Sequence, residues 1–247
     1  QTEGDILCGV QEVEENLKYL FKLNERCKAE PRYRGQVKEL CKQDILFWFN
    51  SFAWTQDTRL REDHPDPYYR GRPNLPFITY SYQDSFIADV CKAIDLGEDR
   101  VIVKSRDMGV SWLTLLIFQW YWQFRAGSQF LVGSRKQEAV DMSGVMSTLF
   151  EKLRYSIGTQ ARWLLPRGFD PKKHSLFMRI LNPENQNSIS GEATNPNFSV
   201  SGRYNAILFD EFAKWEENAE EAWEKAQQST PCRIAISTPE GLGNKFA

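Results

Sequence analysis

From residue 100 onward the sequence alternates short apolar runs with longer amphipathic ones, and that alternation leaves the chain few folds to choose from. The apolar runs lie at 101–103, 129–133 (QFLVG), 176–181 (LFMRIL), 206–209 (AILF) and 233–236 (RIAI). Runs this short, rich in branched and aromatic residues and bounded by polar turns, predict strands. Between them the spacing of apolar residues predicts helices over 111–125, 135–155 and 215–228. Strands separated by helices pair in parallel, because each return across the sheet takes a crossover long enough to hold a helix. The expected fold class is therefore α/β, with a mostly parallel central sheet flanked by helices.

The first part of the chain reads differently. In VQEVEENLKYLFKLNERCK (10–28), Val10, Val13, Leu17, Leu20 and Phe21 recur at helical spacing with charges between them. In QVKELCKQDILFWFN (36–50), Val37, Leu40, Cys41, Ile45 and Trp48 do the same. Residues 57–77 carry four of the eleven prolines plus Gly71 and predict an irregular connector. A helix is expected again over 81–96. The layout that follows is a helical subdomain over 1–60, a connector over 61–80 and an α/β core over 81–247.

Composition adds limits. With 41% hydrophobic and 26% charged residues the chain can bury a sizeable core. A formal net charge of -2 gives no global basic field, so any nucleic-acid contact must be local. Cys8, Cys27, Cys41, Cys91 and Cys232 are odd in number and scattered, which predicts reduced thiols in an intracellular protein and no zinc site. His64 and His174 are isolated and predict surface or loop positions. The N-terminus is acidic and lacks the order of a signal peptide. The apolar run WLTLLIFQWYWQF (112–124) falls short of the roughly 20 residues that span a bilayer, and it predicts a buried helix. The chain starts without methionine and stops just past a loop-like segment, which suggests a piece of a longer protein.

The stretch RVIVKSRDMGVSWLTLL (100–116) holds the first candidate for chemistry. A phosphate-binding loop follows a strand, opens a helix and reads G-x-x-x-x-G-K-[ST]. Its backbone N–H groups hold phosphates, its lysine supplies a charge and its hydroxyl binds Mg²⁺. Here residues 104–111 read K-S-R-D-M-G-V-S. Gly109 and Ser111 fit, the lysine slot holds Val110, and Lys104 stands where the first glycine would be. Lys104 could fold back over the loop towards the phosphates, and Arg106 is a second candidate cation. Taken alone, a turn capped by Ser111 ahead of a core helix explains the stretch about as well.

A second motif shifts that balance. NAILFDEFAKW (205–215) is an apolar strand ending in two carboxylates. In nucleotide hydrolases such a strand presents an Asp to Mg²⁺, and the next Glu polarises the attacking water. Asp210 and Glu211 occupy those places, with Asp210 and Ser111 as the candidate metal ligands. A third apolar strand ends in Ser237-Thr238-Pro239, where hydroxyls could sense a γ-phosphate and relay its loss. An ordinary Pro-Gly turn accounts for that last segment equally well.

In this order the motifs resemble those of the ATPase domain of the large terminase subunit, the DNA-packaging motor of tailed bacteriophages, over essentially the whole chain. The segment LCKQDILFWFNSFAWTQDTR (40–59) looks like that family's helical N-terminal part. Tyr82 and Gln83, in SYQDSF, resemble its adenine-recognition element. KSRDMGVSW resembles its deviant phosphate loop, and ILFDEFA and STPEG its acid strand and coupling motif. The resemblance implies a phosphate-loop NTPase fold with ATP and Mg²⁺ as cofactors. The nucleotide would be held by Tyr82, Gln83, Lys104, Ser105, Arg106, Asp107, Met108, Gly109, Val110, Ser111 and Trp112. Catalysis would fall to Glu211 and Lys104, with Ser237 and Thr238 coupling hydrolysis to motion. It further implies a trans-acting arginine from the loop SISGEATNPNFSVSGRYN (188–205), with Arg203 first and Arg135, in GSRKQEA, second. The implied partners are double-stranded DNA, a portal protein, the small terminase subunit and further copies of the chain in a ring on the procapsid, with no membrane. The implied location is the cytoplasm of an infected bacterium. The family's C-terminal nuclease domain is expected to be absent, since the chain ends just past the coupling motif.

Two other readings share these residues. A helicase-like translocase would use the same three motifs but needs a second motor domain. A non-hydrolysing scaffold that docks on a portal would explain Val110. Basic stretches at 31–38, 68–73 and 161–173 are candidate DNA contacts, although ordinary solvated surface is the better explanation of each.

Overall fold

The computed structural model describes residues 13–239 apart from 58, 59, 61, 64, 66–68, 107, 196 and 216–218. Its elements run α1 (Val13–Ala29), α2 (Pro31–Gln43), α3 (Ile45–Phe52), β1 (Trp54–Gln56), β2 (Asn74–Pro76), α4 (Ser81–Leu96), β3 (Arg100–Val103) and α5 (Val110–Phe124). They continue with β4 (Gln129–Ser134), α6 (Gln137–Val140), α7 (Leu149–Thr159), α8 (Pro171–His174), β5 (Ser175–Leu176) and β6 (Arg179–Leu181). The chain closes with β7 (Ser188–Ala193), β8 (Ala206–Asp210), a 3-10 turn (Phe212–Lys214), α9 (Ala219–Ala226) and β9 (Arg233–Ser237). Two units emerge, 1–84 with 155–165 and 85–154 with 166–247. Among the described residues no helix is long and apolar enough to cross a membrane.

In the first unit, α1 turns Leu20, Leu23 and Cys27 inward with Asn16, while Phe21 lies 69% exposed. Phe21 matches the spacing but falls on the far side of the buried stripe. The expected helix over 36–50 is two helices. Asp44 breaks it, with extended backbone and a side chain that accepts the Phe47 N–H at 3.0 Å. That is an N-cap: the carboxylate satisfies a donor that the new helix would leave open. Asn50 of α3 then fixes the approach to α4, accepting the Thr79 N–H at 3.0 Å and donating to Thr79 Oγ1 at 2.9 Å. Within the expected connector, β2 pairs antiparallel with β1.

The second unit is built on a seven-stranded sheet ordered β3-β9-β8-β4-β7-β6-β5. The pairs β3–β9, β9–β8, β8–β4 and β4–β7 are parallel, whereas β6 and β5 form an antiparallel hairpin at one edge. This is the α/β, mostly parallel architecture the alternation predicts. Helix α5 is buried on nearly every side from Leu113 to Phe124, and Phe118 stacks on Phe130 of β4 at 4.2 Å. Its last carbonyls are not left open: the Asn182 and Asn187 amides both donate to Trp122 O, at 2.8 and 3.0 Å.

Three expectations need correction here. Residues 176–181 are not one strand, because Phe177 and Met178 turn between β5 and β6, with Met178 at φ 51°. Residues 135–155 are not one helix: α6 stops at Val140, and Asp141 is drawn into other bonds. Its carboxylate accepts the Arg154 guanidinium at 2.6 and 2.7 Å and the Met178 N–H at 2.6 Å. Residues 188–205 are not all loop, because 188–193 form β7 beside β4. Gly191 there leaves room for Phe150 of α7, whose ring edge lies 2.6 Å from where a Cβ would stand.

Asp141 thus ties α7 to the β5–β6 turn. Asp141→Ala would leave a guanidinium and a backbone N–H without their acceptor, and should cost about 2–4 kcal/mol, read as a lower midpoint in chemical denaturation. A change under about 0.5 kcal/mol would mean that the clamp is not holding the helix.

Candidate functional site

In an open parallel sheet, ligands bind beyond the carboxyl ends of the strands. The order β3-β9-β8-β4 places four such ends side by side. They lead into Lys104, Ser237-Thr238, Asp210-Glu211 and Ser134-Arg135 respectively. Three motifs far apart in sequence therefore share one rim.

The loop after β3 closes on Gly109, which caps α5 with φ 71° and ψ 8°, a left-handed conformation that favours glycine. Among the described residues no side chain caps this helix. Val110 is its first residue and is 7% exposed, so the slot that would carry a lysine faces the core. Ser111 lies inside the first turn rather than at the cap, and its Oγ donates to Asp210 Oδ1 at 2.7 Å, across 99 positions of sequence. The capping explanation of Ser111 therefore does not hold. Lys104 and Ser111 are half-buried, as are Met108, Gly109 and Trp112, whereas Ser105 and Arg106 are exposed. Asp107 lies outside the described residues.

The two adjacent carboxylates occupy unlike surroundings. Asp210 is buried at the end of β8. Burial raises its pKa; the Ser111 hydrogen bond and the charge of Lys152 oppose that, Glu211 adds to it, and Lys104 opposes it. Glu211 takes the left-handed conformation, φ 53° and ψ 38°, uncommon for a side chain of this size. The turn swings its carboxylate out of the strand's alternation to a half-exposed place, 3.1 Å from Lys214 Nζ and 3.7 Å from Arg135 Nε. Beneath it an aromatic cluster of Phe198, Phe209, Phe212, Trp215 and Trp223 fixes the backbone. The Trp215 indole donates to Asp210 O at 2.9 Å.

Ser237, buried at the end of β9, joins the other two segments. Its carbonyl accepts the Lys104 N–H at 3.1 Å and its hydroxyl accepts the Ala213 N–H at 3.2 Å, two residues past Glu211. Thr238 follows, half-buried. Arg203 is exposed and donates to its neighbour's Gly202 O at 3.2 Å. In the first unit, Gln83 is buried and its Oε1 accepts the Tyr80 N–H at 3.0 Å, closing the start of α4 as an N3 glutamine does. Tyr82, half-exposed, stacks on Tyr80 at 5.7 Å.

The structure adds two lysines that the sequence motifs do not single out. Lys214 pairs with Glu211, and Lys152 of α7 lies within electrostatic reach of Asp210, Glu211 and Lys104. In the sequence Lys152 is one charge among several on an amphipathic helix, which reads as solvated surface.

Ser111 Oγ and Asp210 Oδ1 are hard oxygen donors brought together from separate elements, the set that Mg²⁺ accepts alongside substrate phosphates. No group of three or more His, Cys, Asp or Glu among the described residues forms a metal cage, which a phosphate-shared ion does not need.

No protein-family model and no curated protein matches the chain. Among solved structures, the large terminase ATPase domain of Thermus phage P74-26 is 18% identical, with a TM-score of 0.36 over 60% of this chain and 62% of that one. An arginine-to-alanine mutant of that domain gives a TM-score of 0.40 at the same identity and coverage. The large terminase of bacteriophage HK97 is 12% identical, with a TM-score of 0.47 over 66% of this chain and 34% of that one. The chain thus spans less than two thirds of each.

Asp210 has a direct stability signature. Its folded-state pKa lies above the unfolded value, so its proton is held more tightly on folding, and stability rises as pH falls through the window just above 3.8. Asp210→Asn keeps an acceptor for Ser111 and removes the buried charge. At neutral pH the variant should melt higher than wild type, by about 2–4 °C for each kcal/mol recovered, and the gap should close as pH falls. A variant that melts lower at pH 7 would show that the charge is compensated in the fold.

Proposed function

We propose that this chain is an ATP hydrolase of the phage large-terminase kind, a motor that draws double-stranded DNA into a procapsid. One observation carries the reading: the Ser111–Asp210 contact, which joins a glycine-closed loop at a helix start to the acid end of a parallel strand. The order of the motifs along the chain supports the family.

In this reading the uncapped start of α5 receives the phosphates, where backbone N–H groups and the helix dipole favour anions. Lys104 and Arg106 face them from the loop. Mg²⁺ held by Ser111 and Asp210 would neutralise phosphate charge. Glu211 accepts the proton of the attacking water, a role suited to a half-exposed carboxylate beside a buried one. Lys214 and Arg135 hold that carboxylate in place. Ser237 contacts both the loop and the acid turn, so movement at either reaches the other through β9. Tyr82 and Gln83 take the adenine. Arg203 completes the site of a neighbouring copy in a ring, on a portal, with the small subunit and DNA as partners, in the cytoplasm of the infected host. The buried Val110 favours one rival, a scaffold that binds nucleotide without hydrolysing it.

Mg²⁺-dependent ATP turnover measured across protein concentration tests both. Turnover should rise faster than linearly as copies complete each other's sites, and Glu211→Ala should lower it by about 10²-fold or more. Nucleotide binding with no turnover in wild type, with portal present, would favour the scaffold.

Lys104→Ala is expected to abolish hydrolysis by the same assay, since it removes the loop's own lysine. Near-normal turnover in that variant would take Lys104 out of the mechanism.

A further inference from the structure

Resting on the reading above for the choice of DNA as partner, we propose that α8 and the β5–β6 hairpin contact the backbone of duplex DNA, with Phe177 as an apolar wedge beside the cations of Lys172, Lys173 and Arg179.

The basic stretch that ends at Lys173 in the sequence gains members on folding. Lys172 and Lys173 lie on α8, which packs against both β5 and β6. Arg179 is the cross-strand partner of Leu176, and residues directly opposite in an antiparallel pair stand on one face of the sheet. All three cations are exposed, and among the described residues none of them forms an ion pair within 4 Å. The acid next to them in sequence, Asp170, is engaged as the cap of α8, its carboxylate accepting the Lys172 N–H at 3.0 Å. Three unanswered charges on one edge of a chain whose net charge is -2 make a local field for a polyanion.

Charge alone is what any solvated surface shows, but the tip of the hairpin adds an apolar group that such a surface does not need. Leu176 and Phe177 are 50% and 61% exposed. Met178 takes φ 51°, a place in a tight turn that glycine fills at less cost. The turn is nevertheless held at three points. The Asp141 carboxylate accepts the Met178 N–H at 2.6 Å, the Arg154 guanidinium donates to Leu176 O at 3.2 Å, and the Gly191 N–H donates to Met178 O at 2.8 Å. Strain that the surroundings over-determine clusters where ligands are gripped. Here it holds an aromatic ring in water, where most of its surface gains nothing from folding.

The chemistry of the patch selects the partner. Lysine ammonium groups and an arginine fork bind phosphate and carry no base code. An exposed apolar side chain beside them matches the wedge that minor-groove binders set between base steps. A single ring is not the series of stacking platforms that tracks a single strand. The occupant is therefore a duplex, bound without sequence preference and with strong salt dependence. The hairpin is the edge of the sheet opposite β3, so none of these residues belongs to the nucleotide site.

The test is fluorescence anisotropy of a short labelled duplex of mixed sequence, and of its single strand, with the full chain across salt concentration. Lys172→Ala/Lys173→Ala should weaken duplex binding about tenfold and lower the slope of log affinity against log salt by about 2. Phe177→Ser should weaken it about fivefold with the slope unchanged. Lys22→Ala/Lys28→Ala, which removes the same charge from α1, should change affinity less than about twofold. Melting temperature, and ATP turnover without DNA, should match wild type in all three. Equal losses in the α8 and α1 variants would reduce the contact to net charge and overturn it. Tighter binding of the single strand than of the duplex, lost in Phe177→Ser, would overturn the duplex as occupant. Wild type that turns over ATP yet binds no duplex at low salt would overturn the inference and leave the ATPase reading standing; failure of both would remove the reading beneath it as well.

Discussion

The rest of the site depends on one buried carboxylate. Asp210 lies at the end of a strand that is inside the sheet on both sides, between β9 and β4, and taking a carboxylate out of water is costly unless something answers it. The close donor among the described residues is the hydroxyl of Ser111, with the charges of two lysines opposing the cost at longer range. That one bond sets the distance between the start of α5 and the end of β8. A fold seeking only stability would place an apolar residue here, as it does at Ile207, Leu208 and Phe209 just before. A charge retained against that trend is the kind of local conflict that accompanies function.

The neighbouring Glu211 shows how one strand end can present two acids in two environments. Strand geometry would point it to the opposite face from Asp210. The left-handed turn changes that, and strain of this kind persists only when the surroundings over-determine it. Here the surroundings are aromatic: Phe212 and Trp215 follow directly, pack against Phe209 and Phe198, and bring the indole N–H onto Asp210 O. Ser237 completes the set by accepting the Ala213 N–H. The sequence FDEFAKW thus holds its acids and their support together, each aromatic a few residues from the carboxylate it steadies.

Much of this could be read from the sequence, for identifiable reasons. The parallel core was legible because β3, β4, β8 and β9 are apolar runs with helices between them. β7 was not, since SISGEA has one large apolar residue and a glycine that exists to admit Phe150, so neither periodicity nor composition marks it. The breaks at Asp44 and Asp141 were hidden because both sit inside continuous helical patterns. What ends each helix is a side-chain bond: a local one at Asp44, to Phe47, and a distant one at Asp141, to Arg154 and Met178. The loop, the acid strand and Ser237 were legible as motifs because each is contiguous. Lys152 was not, since it stands far from them in sequence, and Lys214, though three residues from Glu211 inside the acid motif, carries no mark that tells a pairing lysine from a solvated one.

Val110 bears on two separate requirements of the proposed phosphate loop. A phosphate loop asks two things of the position before its hydroxyl residue: a backbone N–H at the helix start and, separately, a positive charge. Backbone geometry supplies the first whatever the side chain, and Gly109 secures it by turning the chain into α5. The second is a matter of position in space, not in sequence, and the field of a point charge does not record which element carries it. In this chain α5 is apolar from its first residue, and a valine there adds to the core where a lysine would have to be led out of it.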